Sequence, residues 1–310
     1  METNNTVKRR VFSGVQPSGD LHIGNYLGAI RRWAAEQHEK DNFFCVVDLH
    51  AITVYQDPGV LRRMTRDVAA LYIACGIDPH QSTIFIQSHV PAHAECAWIL
   101  NCVTPVGWLE RMTQYKAKSA LQESVSTGLL DYPVLQAADI LLYDADEVPV
   151  GEDQKQHVEL TRDVAQRFNR LYGEIFVVPE PRLPESGARI RALNDPARKM
   201  SKSEAAVRGH AVRLIDPPDT VQEIVKRAVT DTGREILFSD QPAKAGVNNL
   251  LEIYQLFTAQ SREEIEAHFL GKGYAGLKAE VAEVIIEGLR PIQEKYRQLL
   301  SNPDELDSIL

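Results

Sequence analysis

The sequence is poor in cysteine and lacks closely paired thiols. Its 310 residues include four cysteines, Cys45, Cys75, Cys96 and Cys102, and none of them forms the C-x-x-C pair of zinc or iron–sulfur sites. This scarcity excludes a disulfide scaffold of the kind found in small secreted modules. We expect inert thiols in an apolar core, because free cysteine is among the most buried residue types.

Long apolar runs are also missing. The stretches 43–47 and 140–143 are far shorter than the roughly 20 residues that a membrane span needs. The first residues are polar and lead into Lys8, Arg9 and Arg10 without an apolar stretch of signal-peptide length. The sequence therefore predicts a cytoplasmic protein with no membrane partner.

Positive charge is in deficit. The chain has 34 lysine and arginine residues against 43 aspartate and glutamate residues, which gives a net charge of −9. Proteins that coat nucleic acid non-specifically need clustered cations to displace phosphate counterions, so we expect no DNA partner. Any anion site must be built from a few residues. The 44% of hydrophobic residues is typical of a globular protein, and the length suits two domains of roughly 150 residues.

The first half of the chain alternates strand and helix patterns. Strands are predicted at 11–15, 43–48, 83–87 and 147–150, and helices at 24–39, 60–75, 95–119, 129–143 and 153–172. Strands separated by helices form βαβ units and a parallel sheet, which makes the fold class α/β. Ligands on such sheets bind beyond the carboxyl ends of the strands.

Prolines mark the end of this pattern. The stretch 179–196 contains Pro179, Pro181, Pro184 and Pro196, which predicts an extended or turning connector. After about residue 205 only helices are predicted, at 220–230, 248–258, 261–269 and 277–300. We expect an α/β domain over 1–205 and a helical domain over 206–310.

A turn rich in glycine and proline follows the first strand. Pro17-Ser18-Gly19 is followed by His22-Ile23-Gly24-Asn25 at the start of a helix. Unpaired N–H groups at a helix N-terminus bind phosphate, and Gly24 permits close approach to the backbone. Taken alone, this pattern is equally typical of a plain structural turn.

A second motif is basic. Arg198-Lys199-Met200-Ser201-Lys202-Ser203 places three cations and two hydroxyls in six residues. These cations repel one another unless they are solvated or held by an anion. A solvated surface loop is the ordinary explanation for one basic run, but the first motif makes an anion site the better interpretation.

Together the two motifs resemble the signature sequences of the class I aminoacyl-tRNA synthetases. Gly151-Glu152-Asp153-Gln154 and Ala137-Ala138-Asp139 are similar to segments of the bacterial tryptophanyl members. The resemblance covers nearly the whole chain. It implies a Rossmann-type catalytic domain over 1–205, with a helical dimerisation segment at about 95–145. It further implies an all-helical anticodon-binding domain over 206–310, whose last helix packs back on the catalytic domain.

The activity implied by this resemblance has two steps. L-Tryptophan and ATP give tryptophanyl-adenylate and pyrophosphate, and the acyl group then passes to tRNA(Trp). The family is homodimeric. Mg²⁺ is expected to bind with the nucleotide, since no carboxylate cluster in the sequence requires a magnesium site made by the protein alone.

The resemblance assigns roles around the nucleotide. Lys199 and Lys202 would neutralise charge on the departing pyrophosphate, while Lys118 and Gln16 would contact phosphate. Asp153 would bind the ribose, although it also heads a predicted helix, where capping is an alternative role. The implied ATP-binding residues are Gln16, Ser18, Gly24, Asn25, Gly151, Asp153, Lys199, Met200, Ser201 and Lys202.

The amino-acid pocket is predicted from one helical stripe. Tyr132, Gln136, Asp139 and Tyr143 stand at i, i+4, i+7 and i+11 on a helix that is otherwise apolar. A buried carboxylate needs a donor, and the indole nitrogen of tryptophan is donor-only, so Asp139 is suited to bind it. The resemblance implies the same role. It also implies the remaining substrate-binding residues, so that the full set is Asp139, Tyr132, Gln136, Gln154, His50, Phe12, Val148 and Val150.

Other functions stay open at this point. The common bacterial form has methionine at the position of Gln136, and the more polar pocket here keeps a tyrosine-specific relative in consideration. A small-molecule adenylyltransferase would share the His-x-Gly turn, and a non-catalytic synthetase-like module is a third alternative. His89 and His93 flank Pro91, and we expect structural roles for them rather than metal binding. His157 follows Asp153 by one turn and would tune it.

Overall fold

The parallel sheet places one end of every strand at a common edge. The computed structural model describes residues 8–18, 20–120, 123–183, 190–205 and 207–310, without the side chains of Glu152, Asp153 and Ser203. Within these ranges the strand order is β3-β2-β1-β4-β5 and every pairing is parallel. The strands are β1 (Arg10–Val15), β2 (Asp41–Val46), β3 (Ser82–Ile86), β4 (Glu147–Pro149) and β5 (Glu180–Arg182).

Helices connect the strands and make up the C-terminal half of the described chain. Those before residue 180 are α1 (Ile23–Asn25), α2 (Arg31–Glu36), α3 (Asp48–Ala51), α4 (Pro58–Ala74), α5 (Ala92–Asn101), α6 (Val106–Glu110), α7 (Thr113–Ser119), α8 (Thr127–Leu141) and α9 (Glu152–Tyr172). Those after it are α10 (Pro218–Lys226), α11 (Ala245–Thr258), α12 (Arg262–Phe269), α13 (Tyr274–Ser301) and α14 (Pro303–Ile309). The predicted fold class, a parallel α/β sheet followed by helices, is confirmed.

Several local predictions were wrong, among them the single helix over 95–119, which the structure divides into α5, α6 and α7. The proline-rich stretch is not only a connector, because it contains β5, in which Pro181 pairs with Val148 of β4. Proline cannot donate a ladder hydrogen bond, and β5 tolerates it as the edge strand of the sheet. The second predicted strand was too long, since β2 ends at Val46 and Asp48 begins α3. A carboxylate in a first helical turn is favoured by the helix dipole.

The helix predicted over 24–39 is not uniform. A π turn, Tyr26–Ile30, separates α1 from α2 and is closed by a hydrogen bond from the Arg31 N–H to the Tyr26 carbonyl. The wider turn buries Leu27 and Ile30 in the core. π turns are rare and occur often at functional sites, and this one directly follows His22-Ile23-Gly24-Asn25.

The apolar core continues from the sheet into the C-terminal helices. Helix α13 packs against α4, and Gln293 of α13 donates to the Leu214 and Asp216 carbonyls, both at 2.9 Å. Arg66 of α4 pairs with Asp307 of α14. The last helices therefore rest on the half of the chain that holds the sheet.

The cysteines follow their predicted burial with one exception. Cys45, Cys75 and Cys96 are buried, whereas Cys102 is exposed just beyond the end of α5. The prediction is wrong for Cys102, because its apolar neighbours Trp98 and Ile99 on α5 are themselves exposed. In the described part of the chain no helix is long and apolar enough to cross a membrane.

A buried carboxylate joins four strands at the amino ends of the sheet. Glu147 is 1% exposed and pairs with Arg9 at 2.7 Å, Lys40 at 2.8 Å and Arg182 at 3.0 Å. Burial raises the pKa of Glu147, but hydrogen bonds from Arg182, Lys40 and Arg9 outweigh it and lower the pKa to about 2. Breaking such a pair destabilises a protein because the remaining partners lose their counter-charge.

We expect Glu147→Gln to lower the free energy of unfolding by about 3 kcal/mol at pH 7, measured by urea unfolding. The contribution of Glu147 is complete above its ordinary pKa of 4.5 and disappears as the pH falls towards 2, because the unfolded chain binds the proton first. The matched control is Asp41→Asn, which removes an exposed pair with Arg10 and should change stability by less than about 1 kcal/mol. Equal effects of the two variants at pH 7 would contradict this account.

Candidate active site

Residues that follow four of the strands lie at the carboxyl edge of the sheet. Gln16 follows β1, His50 lies on α3 after β2, Gln87 follows β3 and Gly151 follows β4. The chain runs from β1 to β2 on one side of β1 and places β4 on the other side. Such a change of direction opens a crevice at the carboxyl ends of the strands, where ligands of α/β sheets bind.

The two sequence motifs meet at this crevice. Lys202 Nζ donates to the Gln16 carbonyl at 2.7 Å, across a sequence separation of 186 residues. Met200 is buried, and its Sδ lies 3.4 Å from the point where a Cβ on Gly24 would stand. The backbone on either side is fixed, since Met200 N donates to the Ile190 carbonyl and Ser201 N donates to His210 Nε2. The basic motif is thus held over the glycine turn.

Gly24 is required by a close approach. A Cβ at this position would lie 2.9 Å from His22 Nδ1, which is closer than real Cβ contacts. The neighbouring Asn25 accepts the His22 N–H through its side-chain oxygen at 3.1 Å. The turn therefore presses the His22 ring against the start of α1 with no room for a side chain.

His22 is held uncharged. It is 2% exposed, and burial together with the charges of Lys202, His210 and Lys199 lowers its pKa to about 3. Within the described residues neither of its ring nitrogens has a hydrogen-bond partner. A neutral buried imidazole with free nitrogens is suited to contact a ligand that enters the crevice.

Burial also changes Lys202. It lowers the pKa of this lysine to about 8, because a low-dielectric environment disfavours the charged form. An anion in the crevice would favour the ammonium form and would replace the Gln16 carbonyl as its partner. Lys199, by contrast, is exposed on the same loop.

The other residues expected to bind the nucleotide are placed as follows. Ser18 Oγ lies 3.4 Å from the Gln16 side-chain oxygen, and Gly151 is the N-cap of α9. Lys118 is exposed on α7, with its Nζ 5.1 Å from the centre of the Tyr132 ring. The side chains of Asp153 and Ser203 lie outside the described structure, so the expected ribose contact of Asp153 stays a prediction.

Asp139 is the centre of a buried polar cluster. It is 1% exposed, and its Oδ1 accepts from Gln87 Nε2 at 2.6 Å and from His93 Nδ1 at 2.7 Å. Its Oδ2 accepts from His50 Nε2 at 2.7 Å. Burial raises the pKa of Asp139, but the hydrogen bonds from His50 and His93 outweigh it, so the pKa falls below its usual value. Asp139 is therefore a fixed, charged acceptor in the crevice.

The remainder of the predicted stripe lines the same side of α8. The Tyr132 hydroxyl lies 2.8 Å from His157 Nε2, and burial raises the Tyr132 pKa to about 12. Gln136 is half-buried between Tyr132 and Asp139 on this face. Gln154 is half-buried in the first turn of α9, where its N–H donates to the Gly151 carbonyl.

Apolar walls surround Tyr143. Phe12 of β1 stacks on it with ring centres 5.8 Å apart and planes at 17°. Val148 is buried in the same small core cluster, and Val150 packs against it. The three wall residues expected from the sequence are thus brought together beside the Asp139 cluster.

Three members of this site were not assigned a site role from the sequence. Gln87 directly follows β3, and its position at a strand end was a signal that could have found it. His93 was expected to be structural, and it is fully buried against Asp139 rather than solvated. His157 was expected to tune Asp153, which stays a prediction because the Asp153 side chain lies outside the described structure, and it also lies within hydrogen-bond distance of the Tyr132 hydroxyl.

Comparison with known proteins identifies the family of this chain. Residues 4–290 match the sequence model of the family described as tRNA synthetases class I (W and Y). The chain belongs to this family of class I tRNA synthetases. It is 54% identical over 305 residues to a tryptophan–tRNA ligase of Wolinella succinogenes, covering 98% of this chain and 92% of the relative. It is 57% identical over 291 residues to one of Caldanaerobacter subterraneus, covering 94% and 88%.

Solved structures of class I tRNA synthetases agree with the fold. A tryptophanyl-tRNA synthetase from Campylobacter jejuni complexed with ADP and tryptophan has a TM-score of 0.86 and 38% identity, covering 97% of this chain and 92% of that one. A tyrosyl-tRNA synthetase from Aeropyrum pernix has a TM-score of 0.67 and 22% identity, covering 98% and 89%. The second likeness concerns the fold alone.

The lowered pKa of Lys202 can be measured without any assay of function. We expect the rate of its acetylation by acetic anhydride, followed by mass spectrometry, to reach half of its maximum near pH 8, since only the neutral amine reacts. In urea the same lysine should titrate near its ordinary value of 10.5. A midpoint near 10.5 in the folded protein would contradict the burial of its ammonium group.

Proposed function

We propose that this protein is a tryptophan–tRNA ligase, which activates L-tryptophan with ATP and transfers the acyl group to tRNA(Trp) in the cytoplasm. The observation that carries the proposal is the contact of Lys202 with the loop after β1. It holds a cation over the start of α1, which would bind phosphate, and the same edge of the sheet carries a buried carboxylate suited to an indole N–H. The printed names of the relatives support the choice of tryptophan.

In the first step, a carboxylate oxygen of tryptophan attacks the α-phosphorus of ATP. The bond from this phosphorus to the bridging oxygen breaks, and its electron pair leaves with pyrophosphate. No proton has to move, so catalysis depends on positioning and on cations that meet the developing charge. Lys199 and Lys202 would supply these cations, each worth about 3 kcal/mol in the transition state.

In the second step, a ribose hydroxyl of the terminal tRNA adenosine attacks the acyl carbon and AMP leaves. The bond between the acyl carbon and the phosphate oxygen breaks, the hydroxyl proton goes to the phosphate of the departing AMP, and the ester bond to tRNA replaces the mixed anhydride. The helices at 206–310 would hold the anticodon end of the tRNA, which gives the second half of the chain a function that a small-molecule adenylyltransferase would lack.

The nucleotide would lie across the start of α1. Gln16, Ser18, Gly24 and Asn25 approach it from the loop after β1, and Gly151 and Asp153 from the start of α9. Lys199, Met200, Ser201 and Lys202 would close over the phosphates. Lys118, whose Nζ lies 5.1 Å from the centre of the Tyr132 ring, would also contact phosphate.

Mg²⁺ would enter with ATP. Among the described residues no group of three or more histidine, cysteine, aspartate or glutamate side chains is arranged to hold a metal ion. The ion would be carried by nucleotide phosphates and water, as magnesium usually is. The ion would shield part of the phosphate charge, and the lysines of the chain would neutralise the charge that remains.

The amino acid would bind along α8. Asp139 accepts the indole N–H, Tyr132 and Gln154 hold the ammonium group, and His50 lies beside Asp139. Phe12, Val148 and Val150 form the walls. A site built around one hydrogen bond rejects phenylalanine far more strongly than a pocket defined by shape, because Asp139 would be left without a partner.

Gln136 is the pocket residue that would most affect the choice between tryptophan and tyrosine. Its amide lies on the face that carries Tyr132 and Asp139, and a phenol can also hydrogen-bond to a carboxylate and an amide. The identity to tryptophan–tRNA ligases over nearly the whole chain makes tryptophan the favoured substrate all the same.

The protein would act as a homodimer. Trp98 of α5 is 72% exposed, and Ile99 and Val106 beside it are exposed as well. Large exposed apolar side chains in one region of a soluble protein indicate an interaction surface. This surface lies in the segment at about 95–145 for which the family resemblance implies dimerisation.

Amino-acid-dependent exchange of ³²P between pyrophosphate and ATP tests the function. We expect exchange to depend on tryptophan, with tyrosine and phenylalanine at least about a hundredfold lower in kcat/KM, and release of AMP to depend on tRNA(Trp). Faster exchange with tyrosine would overturn the substrate. Exchange without any tRNA-dependent AMP release would favour a small-molecule adenylyltransferase.

Lys202→Ala tests the proposed role of the lysine ammonium group in the same exchange assay. It should lower kcat for exchange about a hundredfold with little change in tryptophan affinity, because its ammonium group acts on the transition state. Lys226→Ala, on the surface of α10, should leave exchange unchanged. Near-normal turnover of the Lys202 variant would remove the phosphate-binding role.

Trp98→Glu tests the dimer. We expect a monomer of 34.8 kDa by sedimentation where the unchanged protein sediments at twice this mass, because a charge would be placed in the apolar interface. Tyr172→Glu, which changes an equally exposed aromatic residue on α9, should leave the mass unchanged. A monomeric unchanged protein would contradict the homodimer.

A further inference from the structure

We propose that His93 is a positioning residue for substrate selection: oriented by Tyr143, it fixes Asp139 so that one acceptor direction stays open for the indole N–H. This inference rests on the proposed role of Asp139 and adds to it. It concerns residues of α5 and of the end of α8 that lie behind the pocket and need not touch tryptophan.

The hydrogen bonds around Asp139 have a defined direction. An ionised carboxylate only accepts, so His93 Nδ1, at 2.7 Å from Oδ1, must carry a proton. In the tautomer that carries its proton on Nδ1 alone, Nε2 is an acceptor, and it lies 2.8 Å from the Tyr143 hydroxyl. In this arrangement Tyr143 donates to His93, and His93 donates to Asp139. The hydroxyl selects the tautomer that can hold the carboxylate.

The contacts also limit how many further donors Asp139 can accept. A carboxylate has about four lone-pair positions. Within the described residues, Gln87 and His93 occupy two positions on Oδ1, and His50 occupies one on Oδ2. One position on Oδ2 is left. The cluster therefore offers a ligand a single acceptor of fixed orientation rather than a freely rotating carboxylate.

Packing keeps the cluster rigid. His93 is fully buried, and Phe85 lies against both its ring and the ring of Tyr143, with centres 5.9 Å and 5.2 Å away. Tyr143 is in turn stacked on Phe12, which is itself expected to line the pocket. A side chain held in this way loses little entropy when a ligand binds, and a small misplacement of Asp139 would weaken a hydrogen bond strongly.

The test compares two substrates that differ in the donor alone. In 3-(benzothiophen-3-yl)alanine a sulfur atom replaces the indole N–H, so the ratio of kcat/KM for tryptophan to that for this analogue measures the contact with Asp139. In pyrophosphate exchange, we expect His93→Gln to lower this ratio at least about tenfold, because its amide stands where Nε2 was and Oδ1 loses its donor.

His93→Asn is the conservative rescue. Its amide nitrogen stands close to the position of Nδ1, so it should keep the ratio within about threefold of the unchanged protein. Tyr143→Phe removes only the hydroxyl and should lower the ratio by about threefold. His89→Asn changes an exposed histidine four residues before His93 and should not change the ratio. Thermal unfolding of each variant separates a change of selectivity from a loss of fold.

Asp139→Asn in the same assay distinguishes the two proposals. If it lowers the ratio while His93→Gln and Tyr143→Phe do not, the positioning role of His93 is wrong and Asp139 keeps its proposed function. If Asp139→Asn leaves the ratio unchanged, the indole contact is wrong and the inference fails with it. A fall in the ratio for His93→Asn as large as for His93→Gln would also overturn the inference.

Discussion

The contact between Lys202 and the Gln16 carbonyl is the constraint on which the site depends. It joins two segments that are 186 residues apart and closes the crevice at the carboxyl ends of the strands. A lysine held there is partly desolvated, and an anion bound in the crevice would replace the Gln16 carbonyl as its partner. In the proposed reaction its ammonium group would meet charge that develops in the transition state, which is where electrostatic stabilisation raises a rate most.

Two buried carboxylates at opposite ends of the sheet show how the surroundings of one chemical group decide its role. Glu147 is surrounded by three cations, two of them largely exposed, and joins the amino ends of the strands. Asp139 is surrounded by amide and imidazole donors and keeps its charge at the carboxyl ends. Both have lowered pKa values for the same reason, since donors outweigh burial in each case. One stabilises the sheet, and the other is left with capacity for a ligand.

Much of the fold could be predicted because its signals are local. The strands at Val11–Val15 and Phe43–Val46 are apolar runs, and the long helices repeat apolar residues at helical spacing. The failures concern elements that depend on contacts between distant parts of the chain. β5 contains Pro181 and is stabilised by its pairing with β4, which no local pattern reports. The π turn after Asn25 depends on which side chains the core accepts, and α14 depends on its packing against α13 and α4.

The site divides in the same way. The glycine turn, the basic loop and the stripe on α8 are contiguous or periodic in sequence, so residue order by itself determined a glycine-containing start of a helix, a cationic loop and a polar helical face. Residue order could not show that Gln87, His50 and His93 converge on Asp139, nor that Tyr143 orients His93, because these side chains come from different strand ends and helices. Only the tertiary structure brought them within hydrogen-bond distance, and only that proximity decides which lone pairs of a buried carboxylate are occupied and which one remains for a substrate.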